Sequence, residues 1–213
     1  MKLGISNRES VALTLVEVLV VVVVLGFLFA LLFPWPESSN GKRNWRISCV
    51  NNLKQTGIAF AVWRNDHDGK FPMDVAGTNG GAREAALDGN AAAIFRSMSN
   101  ELSVPKVLVC PADGSRFIAT NFSAGFGAKN ISYFIGLDAA RNLPATILSG
   151  DDNLEVNGVA VKAGIINLTA DAFVNWTTNR HRSGNIVFTD GSVRSLKKFW
   201  FYGLLAPKRF SNQ

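Results

Sequence analysis

The most prominent pattern along the chain is an apolar run over residues 13–33, which contains one charged residue, Glu17. As a helix rising about 1.5 Å per residue, it spans about 30 Å, the thickness of a bilayer core. The run is longer than the apolar region of a secretory signal peptide, and no Ala-x-Ala site ends it. The pattern therefore predicts one transmembrane helix over residues 13–36, preceded by a short basic segment, residues 1–12, on the cytoplasmic side.

Glu17 lies five positions into this run. A carboxylate in hydrocarbon costs about 3 kcal/mol on insertion scales, so its presence indicates a partner or a function. The alternative interpretation is that Glu17 is shallow enough to reach the lipid headgroups.

A second periodic pattern follows over residues 42–64, where apolar and small residues recur at helical spacing. The members of this stripe are Trp45, Cys49, Leu53, Gly57, Phe60 and Ala61. We expect an amphipathic helix that forms the second half of one long, kinked helix. Its apolar stripe is expected to pack on a sheet of the following domain.

The remainder of the chain alternates short apolar runs with turn residues, which is typical of an α+β domain. Predicted strands cover residues 104–109, 131–137, 146–149, 165–168 and 185–188, and a short helix lies within 82–100. Asp190 and Gly191 predict a two-residue hairpin turn after the last of these strands. We therefore expect residues 37–213 to form the amphipathic helix and a globular α+β head.

The charge of the chain is concentrated in one segment. The 213 residues include 22 Lys+Arg and 16 Asp+Glu, a net charge of +6, with a hydrophobic share of 47%. Residues 180–213 hold seven basic side chains against one acid, whereas residues 1–179 are neutral. A general nucleic-acid-binding protein, a disordered chain and a polytopic membrane protein are thereby disfavoured, and no nucleic-acid partner is expected.

The segment Ala12-Leu13-Thr14-Leu15-Val16-Glu17 resembles the prepilin processing signal of type IV pilins and type II secretion pseudopilins. Ala12 stands where that signal usually has Gly, and Leu13 where it has Phe or Met. The resemblance implies cleavage between Ala12 and Leu13 by a prepilin peptidase, and N-methylation of Leu13. It also implies that Glu17 meets the new N-terminal amine of a neighbouring subunit during assembly.

Further motifs resemble pilin-like proteins of planctomycete- and verrucomicrobium-type bacteria. They are Cys49-x-x-Asn-Leu-Lys-Gln, Gly69-Lys-Phe-Pro, Val-Cys-Pro-Ala-Asp at 109–113, the segments 132–138 and 147–154, and His181 followed by Asp190-Gly191. This resemblance implies a pilin-like fold with a long N-terminal helix on an antiparallel sheet. It also implies an inner-membrane protein whose head lies in the periplasm or at the cell surface, among homologous subunits.

The two cysteines, Cys49 and Cys110, form either one disulfide or two buried free thiols. His181 and Asp190 form either a catalytic pair or a hydrogen bond that fixes the hairpin, and no nucleophile accompanies them. The residues thus favour a structural role over an enzymatic one.

No metal or other cofactor is expected, because the chain contains only two histidines. Asp66-His67-Asp68-Gly69 has a faint resemblance to a calcium loop, without the rest of a twelve-residue loop. Some pseudopilins bind calcium, which makes four further aspartates candidate ligands: Asp151, Asp152, Asp171 and Asp190. Ordinary turn formation explains the same residues.

Three functions are consistent with these observations. The favoured one is a structural subunit of a type II secretion pseudopilus or a type IV pilus-like filament. The first alternative is a single-pass, membrane-anchored binding module that does not polymerise. The second is a tethered hydrolase that uses His181 and Asp190.

Overall fold

A computed structural model of the chain describes residues 14–32, 41–139, 146–169, 171–178, 180, 183–200 and 209–212. The chain divides into two compact units, Met1–Asn40 and Gly41–Gln213. The junction between the two predicted halves of the long helix, residues 33–40, lies outside the described residues, so the predicted kink stays a prediction.

The first unit contains helix α1, Leu15–Leu32. Its 18 residues have a mean hydropathy of 3.1, and none of them is buried in the unit. Among the described residues, α1 is the one helix that is long and apolar enough to cross a bilayer. A single apolar N-terminal helix is therefore present, as the hydrophobic run predicts.

The second unit begins with helix α2, Gly41–Asp66, which packs on the sheet through one face. Cys49, Leu53 and Phe60 are fully buried on that face. Gly57 lets the helix approach the strand Gly184–Phe188 closely, because a Cβ atom at this position would lie 2.7 Å from Cγ2 of Val187. Trp45 does not belong to the packed face, contrary to the prediction: it is 48% exposed, since packing of α2 begins one turn later at Cys49.

Three short helices follow α2, where the sequence predicts one. They are α3 (Arg83–Leu87), α4 (Ala91–Ser97) and α5 (Ser99–Leu102). The predicted strand over 104–109 is wrong, because Pro105–Leu108 is a single 3-10 turn. Pro105 lacks the N–H that a strand ladder needs, and it suits the first position of a helical turn.

Two antiparallel sheets complete the unit. The strands of the larger sheet lie in the order β5-β10-β1-β2-β7-β8, and those of the smaller one in the order β4-β3-β6-β9. Their bounds are β1 Tyr133–Gly136, β2 Ile147–Asp151, β3 Leu154–Val156, β4 Val159–Ala160, β5 Gly164–Asn167, β6 Phe173–Trp176, β7 Gly184–Phe188, β8 Val193–Leu196, β9 Lys198–Trp200 and β10 Arg209–Asn212. The chain is therefore an α+β protein, as predicted.

The strands β1, β2 and β7 of the larger sheet are buried on both faces. Tyr133 and Ile135 of β1 belong to the core shared with α2 and the short helices. Phe134, between them, belongs to a second core that contains Val174 and Trp176 of the smaller sheet. This alternation follows from the two-residue period of a strand, and it makes a three-layer arrangement of helices, six-stranded sheet and four-stranded sheet.

The hairpin predicted at Asp190-Gly191 joins β7 and β8. It is longer than the predicted two-residue turn, because the backbone N–H of Phe188 donates to the carbonyl oxygen of Ser192 at 2.9 Å. Gly191 has a φ of +80°, a left-handed conformation that glycine adopts without strain.

Candidate functional site

The acid of the apolar helix lies at its first turn. The backbone N–H and the hydroxyl of Thr14 donate to Oε2 of Glu17, at 2.9 and 3.0 Å. In return, the Glu17 N–H donates to the Thr14 hydroxyl oxygen at 3.3 Å. This reciprocal pattern is a capping box, which satisfies N–H groups that have no partner within the helix. Glu17 therefore also serves to begin α1, and Ala12 and Leu13 lie outside the described residues.

A disulfide ties α2 to the segment before the larger sheet. The sulfur atoms of Cys49 and Cys110 are bonded, with Cα atoms 5.0 Å apart and both residues fully buried. One turn along α2, Nδ2 of Asn52 donates to the carbonyl oxygen of Val109 at 2.9 Å. The Cys-x-x-Asn pattern of α2 and the Val-Cys pair at 109–110 are therefore two halves of one junction.

Two charged residues that follow Cys110, Asp113 and Arg116, form a buried cluster with two from distant segments, Asp152 and Arg180. Nη2 of Arg180 lies 2.5 Å from Oδ2 of Asp113, and Nη2 of Arg116 lies 2.8 Å from Oδ2 of Asp152. Nη1 of Arg180 pairs with Oδ1 of Asp152, so the Arg180–Asp113 and Arg116–Asp152 ion pairs are linked. The Ser132 hydroxyl donates to Oδ2 of Asp113 at 2.8 Å. The exposed fraction of these charged side chains ranges from 1% for Asp152 to 17% for Arg116.

We call Asp113, Arg116, Asp152 and Arg180 the ion-pair cluster. Burial raises the pKa of Asp152, because removal from water penalises the carboxylate. The guanidinium groups of Arg180 and Arg116 oppose that shift. A buried charge needs such partners, so the cluster is expected to fix the relative positions of the segments that supply it.

A second buried carboxylate adjoins the cluster. Oδ2 of Asp151 accepts from the backbone N–H of Asn185 at 2.6 Å and from its Nδ2 at 2.9 Å. Oδ1 of Asn185 in turn accepts from the Ser195 hydroxyl. Burial, with the nearby Asp151 charge, raises the pKa of the Tyr133 hydroxyl well above its usual range. Strands β2, β7 and β8 are thus joined by polar side chains in addition to the backbone ladder.

The residues of the predicted hairpin signature are only partly described. Oδ1 of Asp190 accepts from the Ser192 N–H at 2.8 Å, which stabilises the turn, and both Asp190 and Gly191 are exposed. His181 lies outside the described residues, so its predicted pairing with Asp190 stays a prediction.

The candidate calcium ligands do not gather into a site. Throughout the described ranges, no group of three or more His, Cys, Asp or Glu side chains is placed to hold a metal ion. The carboxylates of Asp151 and Asp152 are engaged as described above, and Asp171 is exposed. We therefore assign Asp151 and Asp152 to structural roles.

The Asp66-His67-Asp68-Gly69 segment ends helix α2. Nδ1 of His67 hydrogen-bonds the carbonyl oxygen of Trp63 at 2.7 Å, and the two rings stack with centroids 3.5 Å apart. The Gly69 N–H donates to the carbonyl oxygen of Arg64 at 2.8 Å, and Gly69 has a φ of +75°. A glycine in the left-handed conformation with such a backbone bond is typical of the residue that ends an α-helix, and it accounts for this segment without a metal.

Comparison of the chain with protein-family models, with curated proteins and with solved structures gives no match. Functional inference therefore rests on the residues and geometry of this chain.

Proposed function

We propose that this protein is a pilin-like structural subunit of a type II secretion pseudopilus or a type IV pilus-like filament. The observation that carries the proposal is Glu17, the single charged residue within the apolar helix α1. In this proposal, α1 anchors the subunit in the inner membrane, and the α+β head supplies contacts outside it. The protein itself is not an enzyme.

The position of Glu17 supports an assembly role. Its side chain is exposed within its own unit, so its carboxylate is accessible to a neighbouring chain. Thr14 supplies hydrogen bonds to this carboxylate but no positive charge. An N-terminal amine on a neighbouring subunit, created by cleavage between Ala12 and Leu13, would supply that charge in a low-dielectric environment.

The disulfide supports placing the head outside the cytoplasm. Disulfides persist in the periplasm and at cell surfaces, whereas cytosolic thiols are kept reduced. The bond between Cys49 and Cys110 lies in the unit that follows α1. This placement agrees with a basic N-terminal segment that stays on the cytoplasmic side.

The capping box makes a sharp test of Glu17 possible. Glu17→Gln removes the charge but keeps a side chain that can complete a capping box. Thr14→Ala removes the cap but keeps the charge. If the charge guides assembly, Glu17→Gln should abolish the subunit–subunit cross-links and filaments that the wild type forms, whereas Thr14→Ala should retain them.

Membrane fractionation is the control, and both variants should remain in the membrane fraction. A wild-type chain that gives no cross-links at all, or a Glu17→Gln variant that still assembles, would contradict the proposal. The second result would indicate an anchored module in which Glu17 only caps α1.

The mass of the mature N-terminus tests the processing step separately. A chain that begins at methylated Leu13 is expected. A chain that retains residues 1–12 when the peptidase is present would contradict processing between Ala12 and Leu13.

A further inference from the structure

Two sheet edges meet in one short segment of the head. Strand β8 is an edge strand of the six-stranded sheet, and β9 is an edge strand of the four-stranded sheet. Lys197 alone separates them. Within the described part of the chain, no strand pairs with the outer side of β8 or β9.

The outer side of β8 presents backbone groups that no strand among the described residues pairs with. In an antiparallel ladder, residues alternate between those that bond to the neighbouring strand and those that face away. The backbone N–H of Phe188 donates to the carbonyl oxygen of Ser192, so these two residues form a hydrogen-bonded pair. Ile186 and Arg194 are the pair two positions along the same ladder, so Arg194 also bonds to β7 through its backbone. The N–H and C=O groups of Val193 and Ser195 therefore face outward, and they have no backbone partner among the described residues.

The same edge carries a local excess of positive charge. Arg194, Lys197 and Lys198 are exposed, and none forms an ion pair with a described carboxylate. Cζ of Arg194 lies 5.2 Å from the ring centroid of Phe188, which keeps the guanidinium group beside the strand. One acid, Asp190, lies within residues 190–200, and it accepts a hydrogen bond from its own turn.

We propose that the outer edge of β8 binds an extended, acidic polypeptide segment as an added strand. The backbone of such a segment would pair with Val193 and Ser195, and its carboxylates would meet Arg194, Lys197 and Lys198. We call this surface the β8 edge. The inference does not rest on the proposed filament function.

The charge of the β8 edge decides which partner fits. Like charges on facing strands destabilise pairing, so two copies of this edge repel each other. An acidic strand instead gains cross-strand ion pairs together with the backbone bonds that give strand addition its affinity. An anionic bilayer offers the charge but no extended backbone to pair with, so a polypeptide is favoured.

The test uses the full chain in nanodiscs of phosphatidylcholine. The probes are a short synthetic peptide of alternating glutamate and threonine, a matched lysine–threonine peptide, and a glutamate–threonine peptide N-methylated at its central amides. The acidic peptide is expected to bind in fluorescence anisotropy and to slow hydrogen exchange at the amides of Val193 and Ser195. The lysine peptide should not bind, and N-methylation should remove binding, since strand addition needs the amide donors.

A charge-reversed variant and a matched control separate a local site from net charge. The triple variant Arg194→Glu, Lys197→Glu, Lys198→Glu should weaken binding by about tenfold or more. The control reverses three exposed lysines elsewhere on the head: Lys54, Lys106 and Lys129. This control changes the net charge equally and should leave binding within about twofold.

Three results would overturn the proposal. Equal weakening of peptide binding by the two triple variants would show that net charge alone causes the effect. Undiminished binding of the N-methylated peptide would exclude strand addition. Protection of Val193 and Ser195 in phosphatidylglycerol nanodiscs without peptide, together with no peptide binding, would show that lipid covers the edge.

Discussion

The ion-pair cluster gives the strongest prediction about stability. Replacing Arg180 with Met removes the guanidinium group that contacts both Asp113 and Asp152. Arg116 then remains as the one cation of the cluster beside two buried carboxylates. Each pair contributes about 4 kcal/mol of Coulomb energy at an effective dielectric constant of about 20 and a separation of about 4 Å.

The net cost is smaller than that sum, because Arg180 itself no longer needs to be desolvated. Breaking a buried pair from one side costs about 3–5 kcal/mol, which is a large share of a domain stability of about 5–15 kcal/mol. With a urea m-value of about 2 kcal/mol/M, the unfolding midpoint should fall by about 2 M.

The assay is urea unfolding of the full chain in neutral detergent, followed by near-ultraviolet circular dichroism of the buried aromatic side chains. Arg46→Met is the matched control, because Arg46 is an exposed arginine on α2 and should change the free energy of unfolding by less than about 0.5 kcal/mol. Adding Asp152→Asn to Arg180→Met balances the cluster again as one pair, Asp113 with Arg116. That double variant should recover at least about 1 kcal/mol.

Two results would refute this reasoning. An Arg180→Met variant no less stable than Arg46→Met would mean that the cluster does not hold its segments together. Strict additivity of Arg180→Met and Asp152→Asn would mean that the two side chains are not energetically coupled.

Three further predictions concern other contacts. Changing Cys49 and Cys110 to Ala should lower the free energy of unfolding by about 4 kcal/mol, because the disulfide joins residues 61 positions apart. The measurement is the urea midpoint with and without reductant. Gly184→Ala should cost about 1–3 kcal/mol or more in the same assay, because its Cβ would lie 1.8 Å from a tryptophan ring, whereas Gly114→Ala, with open space, should cost little. Because burial raises the pKa of Asp152, this carboxyl contributes most stability below its unfolded value of 3.8. That contribution is lost as the pH rises through the raised folded value, so the urea midpoint should fall with pH in this range. Asp152→Asn should remove this pH dependence, which midpoints measured at a series of pH values would show.

The fold was predictable where the signal is local. The apolar length of α1, the helical period of α2 and most of the apolar strands are readable from neighbouring residues. The hairpin of β3 and β4 is absent from the predicted strands, although its turn is formed by Asn157-Gly158, a dipeptide that suits two left-handed residues. Residues 104–109 have the apolar character of a strand, but Pro105 within them disfavours a central strand.

The site was predictable only in fragments. The capping box of Thr14 and Glu17 is readable from the Thr-x-x-Glu spacing, although the resemblance to the prepilin signal predicts only an assembly role for Glu17. The ion-pair cluster was not predictable, because the Arg180 and Asp113 of one ion pair are 67 positions apart in sequence. Nothing in the local sequence separates Arg180 from an exposed arginine.

The position of β10 has a consequence for the order in which the head is built. Residues 209–212 form the strand between β5 and β1, and β10 is the single strand neighbour of β5 among the described residues. During synthesis, β1 and β5 therefore emerge with facing edges that cannot close until residues 209–212 follow. The larger sheet is completed by contacts distant in sequence, which form slowly. A nascent head thus spends part of its folding with two open strand edges, a state in which chaperones and mispaired neighbours compete with strand β10.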